Sequence, residues 1–181
     1  MKSENLKFLK IRKVKSPNRA HEFDAGFDMY VPEDLTLDQM KENFKMVGCQ
    51  PSVSFAEDNK TITQFHLLPG YSILIPSGIK VKIPNGYALI AFNKSGIAAK
   101  RNLIVGSCVC DQEYQGEILI NIHNIGNIVQ DINAGEKIVQ FLSIPINYCG
   151  LEEIDTLEEL YSDIGKTTRG DGSFGSTGNG L

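Results

Sequence analysis

Asp111 ends an apolar run and stands three residues before Tyr114 in "VCDQEYQGEI" (Val109–Ile118). A carboxylate there can hold a water and take its proton. A turn aspartate bonding its own backbone has the same local sequence. Upstream, "NKSGIAAK" (Asn93–Lys100) sets a cation, a hydroxyl and a glycine after an apolar strand. Those are the groups a phosphate binds, and also those of an ordinary turn. "DAGFD" (Asp24–Asp28) offers two carboxylates around Gly26. They suit a hydrated Mg2+ reached through water, or a polar turn. Near the C-terminus, "RGDGSFGSTG" (Arg169–Gly178) joins glycines to Arg169, Ser176 and Thr177. Such a strap can curl its N–H groups onto an anion, with Arg169 as a bidentate clamp. Phe174 has an aromatic face that a base ring would cover. The lysine of a nucleotide-hydrolase P-loop is missing. An adhesion reading of Arg169–Asp171 would need secretion, and no signal peptide is visible.

Other chemistry is not supported. His21, His66 and His123 share no metal-ligand spacing and read as structural. Ser95 has no His/Asp partner set for a hydrolase triad. Cys108 and Cys110 have no second Cys/His pair nearby, so a zinc site is not expected. With Cys49 and Cys149 they make four cysteines, too few for a disulfide framework, which fits a reducing, cytoplasmic setting.

The elements that must carry these residues read as short strands. "GIKVKI" (Gly78–Ile83) alternates with period 2, Pro84-Asn85-Gly86 turns, and "YALIAF" (Tyr87–Phe92) follows as a buried strand. Pro69-Gly70 marks an earlier turn. "EILINIH" (Glu117–His123) sets Ile118, Ile120 and Ile122 on one face, and "VCDQEYQGEI" reads as a hairpin. "KIVQFLSIPI" (Lys137–Ile146) predicts a strand buried on both sides. Strands so punctuated predict a sandwich or barrel. A helix is expected over 36–48, with Thr36 and Gln39 as capping box and Leu37, Met40, Phe44 and Val47 on one face. "SVSF" and "TITQF" around "AEDNK" predict a hairpin, and Thr156 with Glu159 caps a short helix.

At 181 residues and 41% hydrophobic content, the chain can build one domain with a real core. A net charge of −4 argues against a nucleic-acid binder, and no apolar run reaches transmembrane length. Residues 1–19 are basic, but Leu6, Phe8, Leu9, Ile11 and Val14 run through them and predict a partly buried strand.

Taken in order on an all-β chain, these motifs resemble the five of the trimeric dUTPases. "AGFD" (Ala25–Asp28), "KSGIAAK" (Lys94–Lys100), "CVCDQEYQGEI" (Cys108–Ile118), "GEKIVQ" (Gly135–Gln140) and "RGDGSFGSTG" are the matching stretches. The resemblance covers nearly the whole chain except about residues 37–66. It implies a single domain over 1–181 with a distorted jelly-roll β-barrel. Residues 37–66 would be a helix-plus-hairpin insertion, and 166–181 a mobile tail that closes the site. It implies a homotrimer with shared sites, hydrolysing dUTP with Mg2+ to dUMP and pyrophosphate. Asp111 matches the general base, and Tyr114 the residue packed on the deoxyribose. Cys108, Val109, Cys110 and Leu119 would border the uracil. Lys94, Ser95 and Gly96 would hold phosphates, and Asp28 and Gln140 would organise water near Mg2+. Arg169, Gly175, Ser176 and Thr177 would wrap the γ-phosphate, with Phe174 over the base.

Four positions depart from the family pattern. Lys94 replaces an arginine and loses its fork, Cys110 replaces isoleucine, Glu113 replaces a second acid, and Ser173 replaces glycine. The same-fold alternative is a dCTP deaminase relative, which would carry a glutamate where Asn121 stands. Segment 37–66 reads as a packed decoration of the barrel edge, with a protein-docking surface as the alternative.

Overall fold

Turn glycines cut the chain into short strands. Gly70 and Gly86 both hold φ of 79°, the left-handed region open to glycine, and each reverses the chain where Pro69-Gly70 and Pro84-Asn85-Gly86 predict a turn. The computed structural model describes residues 5–165, 167, 168 and 170–172. Its elements run β1 (Lys7–Lys10), β2 (Phe27–Tyr30), α1 (Leu37–Val47), β3 (Ser52–Phe55), β4 (Ile62–Leu67), β5 (Ser72–Pro76) and β6 (Ile79–Lys82). They continue with β7 (Tyr87–Asn93), α2 (Ser95–Arg101), β8 (Leu103–Val105), β9 (Val109–Cys110), β10 (Leu119–Asn124), β11 (Gln130–Asn133), β12 (Lys137–Pro145) and α3 (Leu157–Leu160).

The strands form four small sheets, ordered β1-β6, β5-β10-β8, β11-β4-β3 and β2-β12-β7-β9. All pairings are antiparallel. The sheets enclose one jelly-roll-like core without closing into a continuous barrel. Val31, Leu35, Leu67, Ile75, Leu89 and Val139 are fully buried there, each contributing about 1.5–3 kcal/mol of apolar burial. The chain divides into two compact units, Met1–Asn147, which holds this core, and Tyr148–Leu181, which holds α3.

Segment 37–66 is built into that core. The Thr36 hydroxyl accepts the Gln39 N–H at 3.4 Å, and the Gln39 side chain accepts the Thr36 N–H at 3.0 Å, so the capping box forms as expected. Gly48 closes α1 with φ of 64°. Met40 and Phe44 are buried, and β3 and β4 form the predicted hairpin, which continues into β11. Ile62 and Phe65 are almost fully buried from that hairpin.

Three sequence expectations need correcting. Val14 is buried in the N-terminal stretch, but Phe8, Leu9 and Ile11 remain 45%, 62% and 42% exposed in this chain. β12 is buried only in its first half, because beyond Phe141 it pairs with β7 but no longer with β2. Residues 109–118 are not a two-stranded hairpin: β9 pairs with β7, whereas β10 pairs with β5 and β8. The segment is an excursion that joins two sheets.

Candidate functional site

Strand register assembles one group of candidates. Asp28 on β2 faces Gln140 on β12, and Lys94 follows β7, the strand on the other side of β12. The Asp28 carboxylate is buried and ion-paired at both oxygens, with Lys94 on one and Lys137 on the other. Its hydrogen bond also pushes the Lys137 ammonium above its ordinary pKa. Gln140 Nε2 donates to the Asn93 carbonyl at 2.8 Å. Gly26 lies so close that a Cβ there would sit 2.9 Å from Gln140 Oε1, so a larger residue would displace the Gln140 side chain. Ser95 and Gly96 open α2, whose far end is anchored by Arg101: Nε donates to Gln130 Oε1 at 3.1 Å, and Nη1 pairs with Glu136.

A second group lines a cavity of about 260 Å³ on the excursion: Cys108, Val109, Cys110, Asp111, Tyr114 and Leu119. The Tyr114 N–H donates to the Asp111 carbonyl at 3.1 Å and its hydroxyl to the Glu117 carbonyl at 2.8 Å, closing a tight turn. Gly116 lies beneath the ring, where a Cβ would sit 2.3 Å from the Tyr114 hydroxyl oxygen. The Ala91 N–H donates to the Cys108 carbonyl at 2.8 Å, and Gln112 accepts the Gly86 N–H at 2.9 Å. Glu117 takes a bidentate bond from Arg12 at 2.8 and 3.0 Å and accepts the Gly78 N–H at 2.7 Å. Burial first, then the charge of Asp111, pushes the Cys110 thiol up to about 11.

Lys94, Ser95 and Gly96 are absent from the walls of the Asp111 cavity. Volume alone does not locate the chemistry. A cavity of about 530 Å³ at Phe8, Arg19 and Tyr87, and one of about 710 Å³ along α1, hold none of the candidates. Arg169, Phe174, Gly175, Ser176 and Thr177 lie outside the described residues.

Sequence reading missed Met46, and the structure adds detail at His66, which is structural as expected. Met46 of α1 borders the Asp111 cavity although it is 69% exposed, and only the fold brings it there. His66 bonds Ser54 Oγ through Nε2 at 2.9 Å and Asp131 through Nδ1 at 2.6 Å. The order is that of a hydrolytic relay, but the three residues sit on adjacent strands β3, β4 and β11 and line none of these cavities. They tie the 52–67 hairpin to β11. Among the described residues, no helix is long and apolar enough to cross a membrane.

Comparison with known proteins bears on the same residues. A family model described as dUTPase matches residues 58–178. The deoxyuridine 5'-triphosphate nucleotidohydrolase of Corynebacterium jeikeium is 29% identical over 165 residues, covering 90% of this chain and 84% of the relative. That of Fowlpox virus is 32% identical over 146 residues, covering 81% and 98%. Among solved structures, a point mutant of the Staphylococcus bacteriophage 80alpha dUTPase with dUpNHpp superposes with a TM-score of 0.72 at 22% identity, covering 98% of this chain and 100% of that one. The dUTPase from phage phi11 of S. aureus gives 0.63 at 20% identity, covering 86% and 99%. With most of its length matched by the family model, and a curated relative 32% identical over 81% of it, this chain belongs to the dUTPase family.

Proposed function

We infer that the protein is an enzyme that hydrolyses dUTP to dUMP and pyrophosphate. The observation that carries this reading is the cavity in which Asp111, Tyr114 and residues 108–110 meet, in a chain of the dUTPase family. The Asp111 carboxylate orients a water and accepts its proton as the oxygen attacks the α-phosphorus. The bond from that phosphorus to the bridging oxygen breaks, and pyrophosphate leaves. Tyr114 packs on the deoxyribose, and the backbone at Cys108–Cys110, with Leu119 beside it, meets the uracil. Lys94, Ser95 and Gly96 take the phosphates, where cations stabilise the developing charge. Arg169, Gly175, Ser176 and Thr177 close over the γ-phosphate, with Phe174 on the base.

Mg2+ fits this scheme as a companion of the triphosphate. The described residues contain no cluster of three or more His, Cys, Asp or Glu that could cage a metal. Asp28, whose two oxygens already hold Lys94 and Lys137, and Gln140 would meet the ion only through water, as an ion that keeps its hydration and binds phosphates allows. When bound, Mg2+ supplies neutralisation of the phosphate oxygens.

We further propose that the active unit is a homotrimer in which phosphate and base groups from different chains meet. The absence of Lys94, Ser95 and Gly96 from the walls of the Asp111 cavity, and the exposed Phe8 and Leu9, support this. Light scattering should give three times the chain mass of 20.0 kDa. The chain is further proposed to work as one domain, with 166–181 as its closing tail.

The purified protein with Mg2+ should release pyrophosphate from dUTP and little from dTTP, dCTP or UTP. Asp111→Asn should lower kcat by about 10²–10⁴, the usual worth of a general base, with dUTP affinity nearly unchanged. Full activity in that variant would overturn the mechanism.

A further inference from the structure

Asn121 is a buried amide in the middle of a strand. Ile120 and Ile122 flank it, and at 8% exposure it occupies a place where an apolar side chain is the ordinary tenant. Its polar atoms converge on one point of the chain. Oδ1 accepts the Ser107 N–H at 3.2 Å, while the Asn121 main-chain oxygen accepts the Gly106 N–H at 3.0 Å. His123 Nε2 lies 2.9 Å from the same Oδ1, and Nδ2 donates to the Ile73 carbonyl at 3.2 Å.

The place matters more than the count. β8 and β10 pair as far as Val105 and Ile122. Immediately beyond, the chain leaves on the excursion that carries Cys108, Val109, Cys110, Asp111 and Tyr114. Gly106 and Ser107 are its first two residues, and Asn121 holds both, one through its main chain and one through its side chain. The fit is close: a Cβ on Gly106 would fall 1.9 Å from Asn121 Oδ1 and 2.3 Å from His123 Nε2. No other side chain of similar size does the same. Leucine offers neither donor nor acceptor, and an ionised aspartate has no donor for the Ile73 carbonyl. With Nδ2 committed to Ile73 and His123 donating from Nε2, the amide is oriented with its oxygen toward Ser107.

We propose that Asn121 is a positioning residue for base recognition. It fixes the start of segment 107–110, which leads into β9, and so the main-chain groups that meet the pyrimidine edge, without touching the nucleotide. The proposal rests on the dUTP reading above. Recognition by backbone groups demands placement within about 0.5 Å, and a segment that has just left its ladder cannot supply that alone.

The test compares wild type with Asn121→Leu, which keeps the branched shape and heavy-atom count of the side chain and removes both of its polar atoms. Three quantities are measured: KM and kcat for dUTP, the preference for dUTP over dTTP and dCTP, and amide hydrogen exchange across 105–111. The expected result is a folded variant with faster exchange at Ser107–Cys110 and KM raised roughly tenfold to a hundredfold. Its base preference narrows by a similar factor, and kcat stays within about threefold, the signature of lost binding rather than lost chemistry. A folded Asn121→Leu with wild-type KM, preference and exchange overturns the proposal. So does a variant that melts earlier but discriminates bases as before, because that is a purely structural role. If Asn121→Leu fails to fold, His123→Leu takes its place. It leaves the amide but removes its orienting donor, and faster exchange with weakened preference supports the proposal, whereas no change overturns it. Wild-type protein that binds no dUTP would sink the functional reading itself; wild-type binding beside an indifferent Asn121→Leu sinks only this inference.

Discussion

The ammonium of Lys137 lies 3.1 Å from Asp28 Oδ2, on a carboxylate whose other oxygen is held by Lys94. One buried anion thus organises two cations.

Asp28→Asn should therefore release both lysines. Their side chains are 22% and 48% exposed and can reach water, so the loss is smaller than for a fully buried pair. About 1–2 kcal/mol is expected in urea unfolding, against 3–5 for breaking a pair that stays buried. The pair also leaves an alkaline signature. Lys137 is raised above 10.5 in the folded protein, chiefly by its hydrogen bond to Asp28. Its contribution is fully present below 10.5 and fades as pH rises through the higher folded value. Unfolding curves above pH 10.5 should show that fading in wild type and lack it in Asp28→Asn.

Met46 offers a test of the link between the 37–66 segment and the site. Being 69% exposed, it contributes little to folding, yet it borders the cavity of Asp111. Met46→Glu should leave the melting temperature unchanged and raise KM for dUTP roughly tenfold, because a carboxylate there faces both Asp111 and an anionic substrate. Met46→Leu should behave as wild type. Equal KM values for the two variants would show that α1 takes no part in binding.

How much of this was legible in the sequence depends on how local the cause was. The Thr36–Gln39 capping box, the Gly70 and Gly86 turns and the 52–67 hairpin follow from neighbouring residues, and each is present. The Asp111–Tyr114 turn was visible as spacing. Its strand partners were not, because the register of β9 against β7 is set by residues far along the chain. Met46 carried no local signal, and Asn121 stood out only as the place where a deaminase relative would carry glutamate. Only the fold turns it onto Gly106 and Ser107. Phe8 and Leu9 misled for the opposite reason: apolar type predicts burial, but this chain alone does not supply the cover.

Glu117 should separate stability from chemistry. It binds Arg12 bidentately and the Gly78 N–H, with side chains only 15% and 19% exposed. Glu117→Ala leaves the guanidinium and the Gly78 N–H without this carboxylate, and about 2–3 kcal/mol of stability should be lost. The Tyr114 hydroxyl bonds the main-chain oxygen of Glu117, which the variant keeps. At a temperature where the variant is folded, kcat should stay within about threefold of wild type. A double-mutant cycle with Arg12→Ala should return a coupling of roughly 1–3 kcal/mol; independent effects would mean the clamp is not a pair.

The two thiols of the Asp111 cavity should part company under alkylation. Cys108 is exposed, whereas Cys110 is buried with its thiol pushed up to about 11, by burial and then by Asp111. At pH 8 only about one Cys110 in a thousand would be a thiolate, and the thiolate is the reactive form. Iodoacetamide should therefore label Cys108 and spare Cys110, and the added group should fill part of a cavity of about 260 Å³. Inactivation should track Cys108 labelling, dUTP should slow it, and Cys108→Ser should resist it. Loss of activity at the wild-type rate in Cys108→Ser would place the sensitive thiol elsewhere. The same reagent reports on the acid beside it. Asp111→Asn removes the second cause of the raised Cys110 value, so Cys110 labelling should begin at lower pH in that variant, while burial keeps it slower than Cys108.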